Sequence, residues 1–251
     1  MIAIEGVTKK FGKKTAVDNL SLQLQEGTIT GFIGPNGAGK TTTIRMLCGI
    51  LKPDAGTITL NGKDIQKEPL AAKEEFGFIP DSPDVFLTLK GTEYINFICN
   101  IYNVPKEVRP ARMEELLRDF EMTSVVGDRL ETYSHGMRQK IHIIAALMHD
   151  PNIWILDEPM TGLDPQSSYL LKQRMKRHAQ AGNIVLFSTH VLEVAEKLCD
   201  QIAIIDKGEL VYTGTLEALQ ERYPSRSLEE IFLAVTKSRV LAEETEEGAV
   251  Q

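Results

Sequence analysis

Three scarcities in this 251-residue sequence narrow its function before any motif is read. Positive charge is short: 28 Lys and Arg stand against 35 Asp and Glu, a formal net charge of −7. No basic field draws in phosphate backbones, so nucleic acid is not expected as a partner. Cysteine is sparse, and Cys48, Cys99 and Cys199 show no C-x-x-C spacing and sit inside apolar stretches; buried thiols in a reducing compartment are expected. Long apolar runs are missing. No segment approaches the roughly 18 residues that cross a bilayer, and the opening MIAIEGVTKKFG has no signal-peptide core. A cytosolic chain is expected, with any membrane link made through a partner. No internal repeat of about 20 to 50 residues is present. What remains, 42% hydrophobic and 25% charged residues, suits a soluble globular protein with one large core and room for a smaller attached unit.

Apolar patterning supplies the elements. Residues 19–25, NLSLQLQ, alternate as a half-buried strand does, and 28–34, TITGFIG, read as a core strand running into glycines. GTITLNG at 56–62 and KGELVYTG at 207–214 are short Gly-bounded strands, predicted to form a small antiparallel sheet beside the main one. NIWILDEP at 152–159 and NIVLFSTH at 183–190 are nearly all apolar before ending in polar residues. Such strands, separated by helices, indicate a parallel sheet covered on both faces, with the polar ends at the carboxyl edge where open α/β sheets bind ligands. Between about 88 and 149 the strand signal gives way to helical patterning, as in EVRPARMEELLRDFEM and MRQKIHIIAALM. The acidic end, AEETEEGAVQ, predicts a frayed tail.

Residues 34–42, GPNGAGKTT, fit G-x-x-x-x-G-K-[ST] between an apolar strand and the helical TTTIRMLCGI. In such a loop the backbone of Gly34, Pro35, Asn36, Gly37, Ala38 and Gly39 curls so that its N–H groups, which Pro35 alone lacks, face phosphate; Lys40 bridges β- and γ-phosphates, Thr41 ligates Mg²⁺, and Thr42 follows at the helix start. The strand NIWILDEP ends in Asp157 and Glu158, costly to bury without a cation. Asp157 is assigned to the Mg²⁺ shell and Glu158 to the attacking water; the competing reading makes the pair the cap of a helix starting near Pro159. His190 closes the neighbouring strand and is expected at the same edge, within reach of the γ-phosphate. YSHGMRQKIHII at 133–144 poses a separate question: Arg138 and Lys140 stand near a helix start, where cations are unfavourable unless an anion accompanies them.

With these motifs in this order, the chain resembles the ATP-binding subunits of ABC transporters over about residues 1–235. Phe11 is similar to the aromatic that stacks on adenine in that family, TGLDP with Asp164 to its D-loop, STHVLEVAEKLCD to its switch-histidine segment, and YSHGMRQ to its signature sequence, usually LSGGQ. The resemblance implies two ATPase subunits facing head to tail, so that Ser134 and Gly136 of one complete the ATP site of the other, with γ-phosphate as the anion at that helix start. The bland alternative makes Ser134 simply a helix cap. Tyr133, His135 and Met137 replace the usual Leu, Gly and Gln of the signature. Asp81 in FGFIPDSP stands where the family places a Gln that senses Mg²⁺, and being shorter and anionic it is expected to act through a water.

The expectation is therefore an α/β fold. It comprises a P-loop NTPase core with a mainly parallel sheet at about 1–80 and 150–215, a small antiparallel β subdomain, an inserted helical subdomain at about 81–149, and an acidic tail at 236–251. The expected function is that of an ATPase subunit, with ATP and Mg²⁺, bound on the inner face of the cell membrane through a separate permease chain. The signature type and the ending SLEEIFLAVT resemble the exporter branch with ABC-2 type permeases, including the Ecs transporter ATPases. The rival is an ABC ATPase acting on translation or DNA; those usually carry tandem ATPase domains, coiled-coil insertions or basic segments, none visible here. A degenerate regulator without turnover would lack Lys40 or Glu158, and both are present.

Overall fold

The computed structural model describes residues 1–84 and 86–236. Two sheets lie one over the other around shared apolar side chains. In the smaller, β1 (Ile2–Phe11) pairs antiparallel with β2 (Lys14–Leu24) and β4 (Ala55–Leu60), and β5 (Lys63–Asp64) closes the edge. The larger holds six strands in the order β10-β9-β3-β8-β7-β6. They are β3 (Ile29–Ile33), β6 (Phe76–Ile79), β7 (Ile153–Leu156), β8 (Ile184–Thr189), β9 (Gln201–Asp206) and β10 (Glu209–Thr215). All neighbours are parallel except β10 on β9. The fold is α/β, as the apolar runs indicated.

Burial on both faces explains why β3, β7 and β8 read as continuous apolar runs. Successive side chains leave opposite faces of the sheet. Ile153, Ile155, Ile184, Leu186, Ala203 and Ile205 meet the small sheet and α1 (Lys40–Leu47). Trp154, Leu156, Val185, Phe187, Ile202 and Ile204 meet the helical side. That side includes α3 (Gly91–Ile101), α4 (Arg109–Asp119) and α5 (His135–Leu147), which fall between β6 and β7 in the chain. It also includes α6 (Pro165–Gln180) and α7 (Leu192–Leu198). A short α2 (Pro69–Glu74) precedes β6, and α8 (Leu216–Arg222) follows β10. Cys48, Cys99 and Cys199 are buried free thiols.

One strand departs from expectation. KGELVYTG does not join the small sheet; as β10 it extends the large one antiparallel to β9. The cause is local: Lys207 and Gly208 adopt φ of +46° and +87°, making a two-residue hairpin that folds the strand back on its predecessor. The prediction for the acidic end falls almost wholly on residues 237–251, outside the described residues.

Candidate functional site

Parallel pairing sets the site. Ile33 stands beside Thr189, and Leu156 beside Phe187, so the segments after β3, β7 and β8 leave the sheet at one edge. After β3 the chain makes a loop whose glycines provide clearance. A Cβ on Gly34 would collide with the Ile205 carbonyl oxygen, and one on Gly39, where φ is +112°, would stand 2.6 Å from that of Ala16. Only glycine lets the loop lie between β2 and β9. Gly208 of the β9–β10 hairpin donates to the Ala38 carbonyl at 2.9 Å and backs the loop.

Lys40 opens α1 almost fully buried, its ammonium folded onto the carbonyls of Gly34 at 2.7 Å and Pro35 at 3.3 Å. Burial lowers its pKa, while Glu158, Asp157 and Asp81 pull it back up. At the end of β7, Asp157 is only 2% exposed. Burial raises its pKa, opposed by hydrogen bonds from Ser188 and Thr41. Glu158 turns out of the sheet at φ +47°, placing Oε1 3.9 Å from the Lys40 ammonium and Oε2 3.0 Å from His190 Nδ1. The pair therefore does more than cap a helix: α6 starts only at Pro165, and its cap is Asp164.

These groups open into a cleft of about 420 Å³, walled by Phe11, Lys14 and Ala16 of the small sheet, by Asn36, Gly37 and Gly39 to Thr42, and by Asp81, Glu158, Thr161 and His190. Phe11 is half exposed, with the Lys9 ammonium 5.7 Å from its ring centroid. The structure thus gathers Phe11, the phosphate loop, Asp81, Glu158 and His190 around one space, with Asp157 buried beneath.

Ser134, Gly136 and Asp164 stand outside that space. Ser134 caps α5, accepting the Met137 N–H at 3.3 Å. Gly136 lies against Gly162, whose carbonyl oxygen a Cβ would strike. Asp164 accepts from the N–H and hydroxyl of Ser167, both at 2.8 Å, and pairs with Lys140 at 2.6 Å. Arg138 pairs with Asp84 and donates to the Tyr133 carbonyl at 3.1 Å. The anions at this helix start are therefore carboxylates of the same chain. The expectation that Arg138 and Lys140 await a phosphate is corrected: α5 packs between the 81–84 segment and the 161–164 loop, and each supplies a counter-charge.

The sequence profile of the family described as ABC transporter matches residues 17–161. The chain belongs to the ABC transporter family. It is 39% identical over 222 residues to the linearmycin resistance ATP-binding protein LnrL of Bacillus subtilis, covering 88% of this chain and 71% of that one. It is 34% identical over 239 residues to the ABC-type transporter ATP-binding protein EcsA of the same organism, covering 94% and 97%. A solved structure of an ATP-binding subunit of an ABC transporter superposes with a TM-score of 0.90 at 28% identity, covering 94% of this chain and 99% of the other. This ABC ATPase binds and hydrolyses ATP as the ATP-binding subunit of a membrane transporter. Among its described residues, no helix is long and apolar enough to cross a membrane.

Sequence reasoning passed over four residues of the site. Lys14 and Ala16 line the cleft without belonging to a recognisable motif, and Thr161 lines it as the first residue of TGLDP, of which only Asp164 was singled out. Ser188 donates to Asp157 Oδ1 at 2.6 Å and accepts the Glu158 N–H at 3.0 Å. Its signal was available: it lies two places before His190, on the polar end of the same strand.

Proposed function

We propose that two copies of the ABC ATPase close head to tail over two ATP molecules, each cleft completed by Ser134 and Gly136 of the other copy. One observation carries this reading: within a single chain the signature-like residues lie outside the cleft, with Ser134 exposed at the start of α5. A hydroxyl and the N–H groups of a helix start suit phosphate oxygens. A contact made only between copies lets ATP favour the assembled state. Arg138, Lys140 and Asp164 then act indirectly, holding the helix start and the 161–164 loop in register.

The residues at the base of the cleft fit Mg²⁺. The Thr41 hydroxyl bonds the buried Asp157 carboxylate, whose charged form burial disfavours. Among the described residues, no group of three or more His, Cys, Asp or Glu could hold a metal by itself. Mg²⁺ is usually bound by one or two protein oxygens together with substrate phosphates. Thr41 and Asp157 would hold it, with Asp81 acting through water. There it would neutralise charge developing on the phosphate oxygens. Lys40 and the loop N–H groups hold the phosphates, and Phe11 stacks on the base. Glu158 accepts a proton from the attacking water, and His190, on Oε2, orients that carboxylate and faces the terminal phosphate.

The working unit is taken as residues 1–235, with 81–149 acting as a helical subdomain on the core. The membrane part is a separate permease chain, which would hold the ATPase on the inner face of the cell membrane. The resistance role in LnrL's name favours export. Glu158→Gln should retain ATP binding and nearly abolish turnover, since general-base groups typically contribute about 10²- to 10⁴-fold. Steady-state hydrolysis within about threefold of the parent would remove Glu158 from this role.

A further inference from the structure

We propose that Ser188 is a positioning residue for ATP hydrolysis, its one hydroxyl orienting the Asp157 carboxylate and the backbone turn that presents Glu158. This rests on the roles given above to Asp157 and Glu158. Ser188 is completely buried on β8. A buried strand position does not require a hydroxyl, so what the oxygen bonds is the relevant question. Its single proton goes to Asp157 Oδ1 at 2.6 Å, and it accepts the Glu158 N–H at 3.0 Å. Donor and acceptor capacity both serve adjacent residues of β7's end.

The backbone shows why such a group is needed. The Asp157 N–H still bonds β6 through the Ile79 carbonyl at 2.8 Å. On the other side, pairing of β7 with β8 ends at Leu156 and Phe187, although β8 continues to Thr189. The chain leaves because Glu158 adopts φ +47°, a conformation a residue with a Cβ rarely takes. The departure would strand its N–H without a ladder acceptor. The Ser188 hydroxyl takes the missing acceptor's place. The turn it supports brings the Glu158 carboxylate to Lys40 and His190, while its donated bond fixes a carboxylate with almost no access to water.

Ser188→Ala should lower kcat at saturating MgATP about 10- to 100-fold, the loss typical of groups that orient metal-site ligands. Its KM and nucleotide affinity should stay within about threefold of the parent. Ser188→Thr, which keeps the hydroxyl, should hold kcat within about threefold. A kcat for Ser188→Ala within threefold of the parent overturns the proposal, as does an equal loss in a folded Ser188→Thr protein. Glu158→Gln is measured alongside. If it hydrolyses ATP near the parent rate, the assignment of Glu158 fails; if it is inactive while Ser188→Ala is normal, only the role of Ser188 fails.

Discussion

His142, His149 and His178 show what burial does to single residues in this chain. His142 meets the Tyr94 hydroxyl at 3.1 Å, His149 stacks on Tyr102 at a centroid distance of 3.7 Å, and His178 stacks on Trp154 at 4.1 Å. In each, loss of water disfavours the charged ring and pushes the pKa down to about 4. In the unfolded chain the value is about 6.5. Between those two values the unfolded state holds more protons, so stability rises with pH across the window and is lost as pH falls from about 6.5 toward about 4. Each ring contributes a slope of at most about 1.4 kcal/mol per pH unit. The urea midpoint should therefore fall between pH 6.5 and 5, where most carboxylates remain ionised, and His142→Phe should make the fall shallower. A midpoint flat over that range, or an unchanged slope in the variant, would contradict the assignment of neutral buried rings.

At the scale of elements, the contact between α5 and the loop before α6 links the proposed signature to the cleft, which Thr161 lines. Gly136 has no room for a side chain because the Gly162 carbonyl occupies that space, and Gly162, at φ +77°, lies against the His135 ring. Gly136→Ala should push the loop away, weakening ATP-dependent association at least about tenfold while leaving single-chain nucleotide affinity near that of the parent. Sedimentation with and without ATP would read the first, and direct nucleotide titration the second; unchanged association would mean that this packing is not used. Element scale also marks the limit of the sequence. The phosphate loop was legible because its chemistry is written in consecutive residues, Gly34 to Thr42, and β3, β7 and β8 because burial on both faces leaves apolar runs. The place of β10 was not, since Gly-bounded strands suit either sheet and only the φ values at Lys207 and Gly208 decide. Nor were the partners of Arg138 and Lys140, because Asp84 and Asp164 lie far along the chain and meet α5 only through packing. The polar position of Ser188 at the end of β8 was visible in the sequence, but the role proposed for it follows from the register of β7 on β8.

For the whole molecule, the phosphate loop and the start of α5 do not meet within one chain, so in the proposed assembly a complete site requires two copies. Lys40→Ala spoils a chain's phosphate loop and spares its signature; Ser134→Arg does the reverse, placing a bulky side chain where the partner's γ-phosphate belongs. Neither protein alone has an intact composite site. Mixed together, the loop of the Ser134→Arg chain and the signature of the Lys40→Ala chain make one. Differently tagged preparations of the two variants, each folded and each unable to dimerise with ATP, should associate when ATP is added to the mixture. An ATP-dependent dimer of Ser134→Arg alone, or no association in the mixture, would contradict a site shared between two copies.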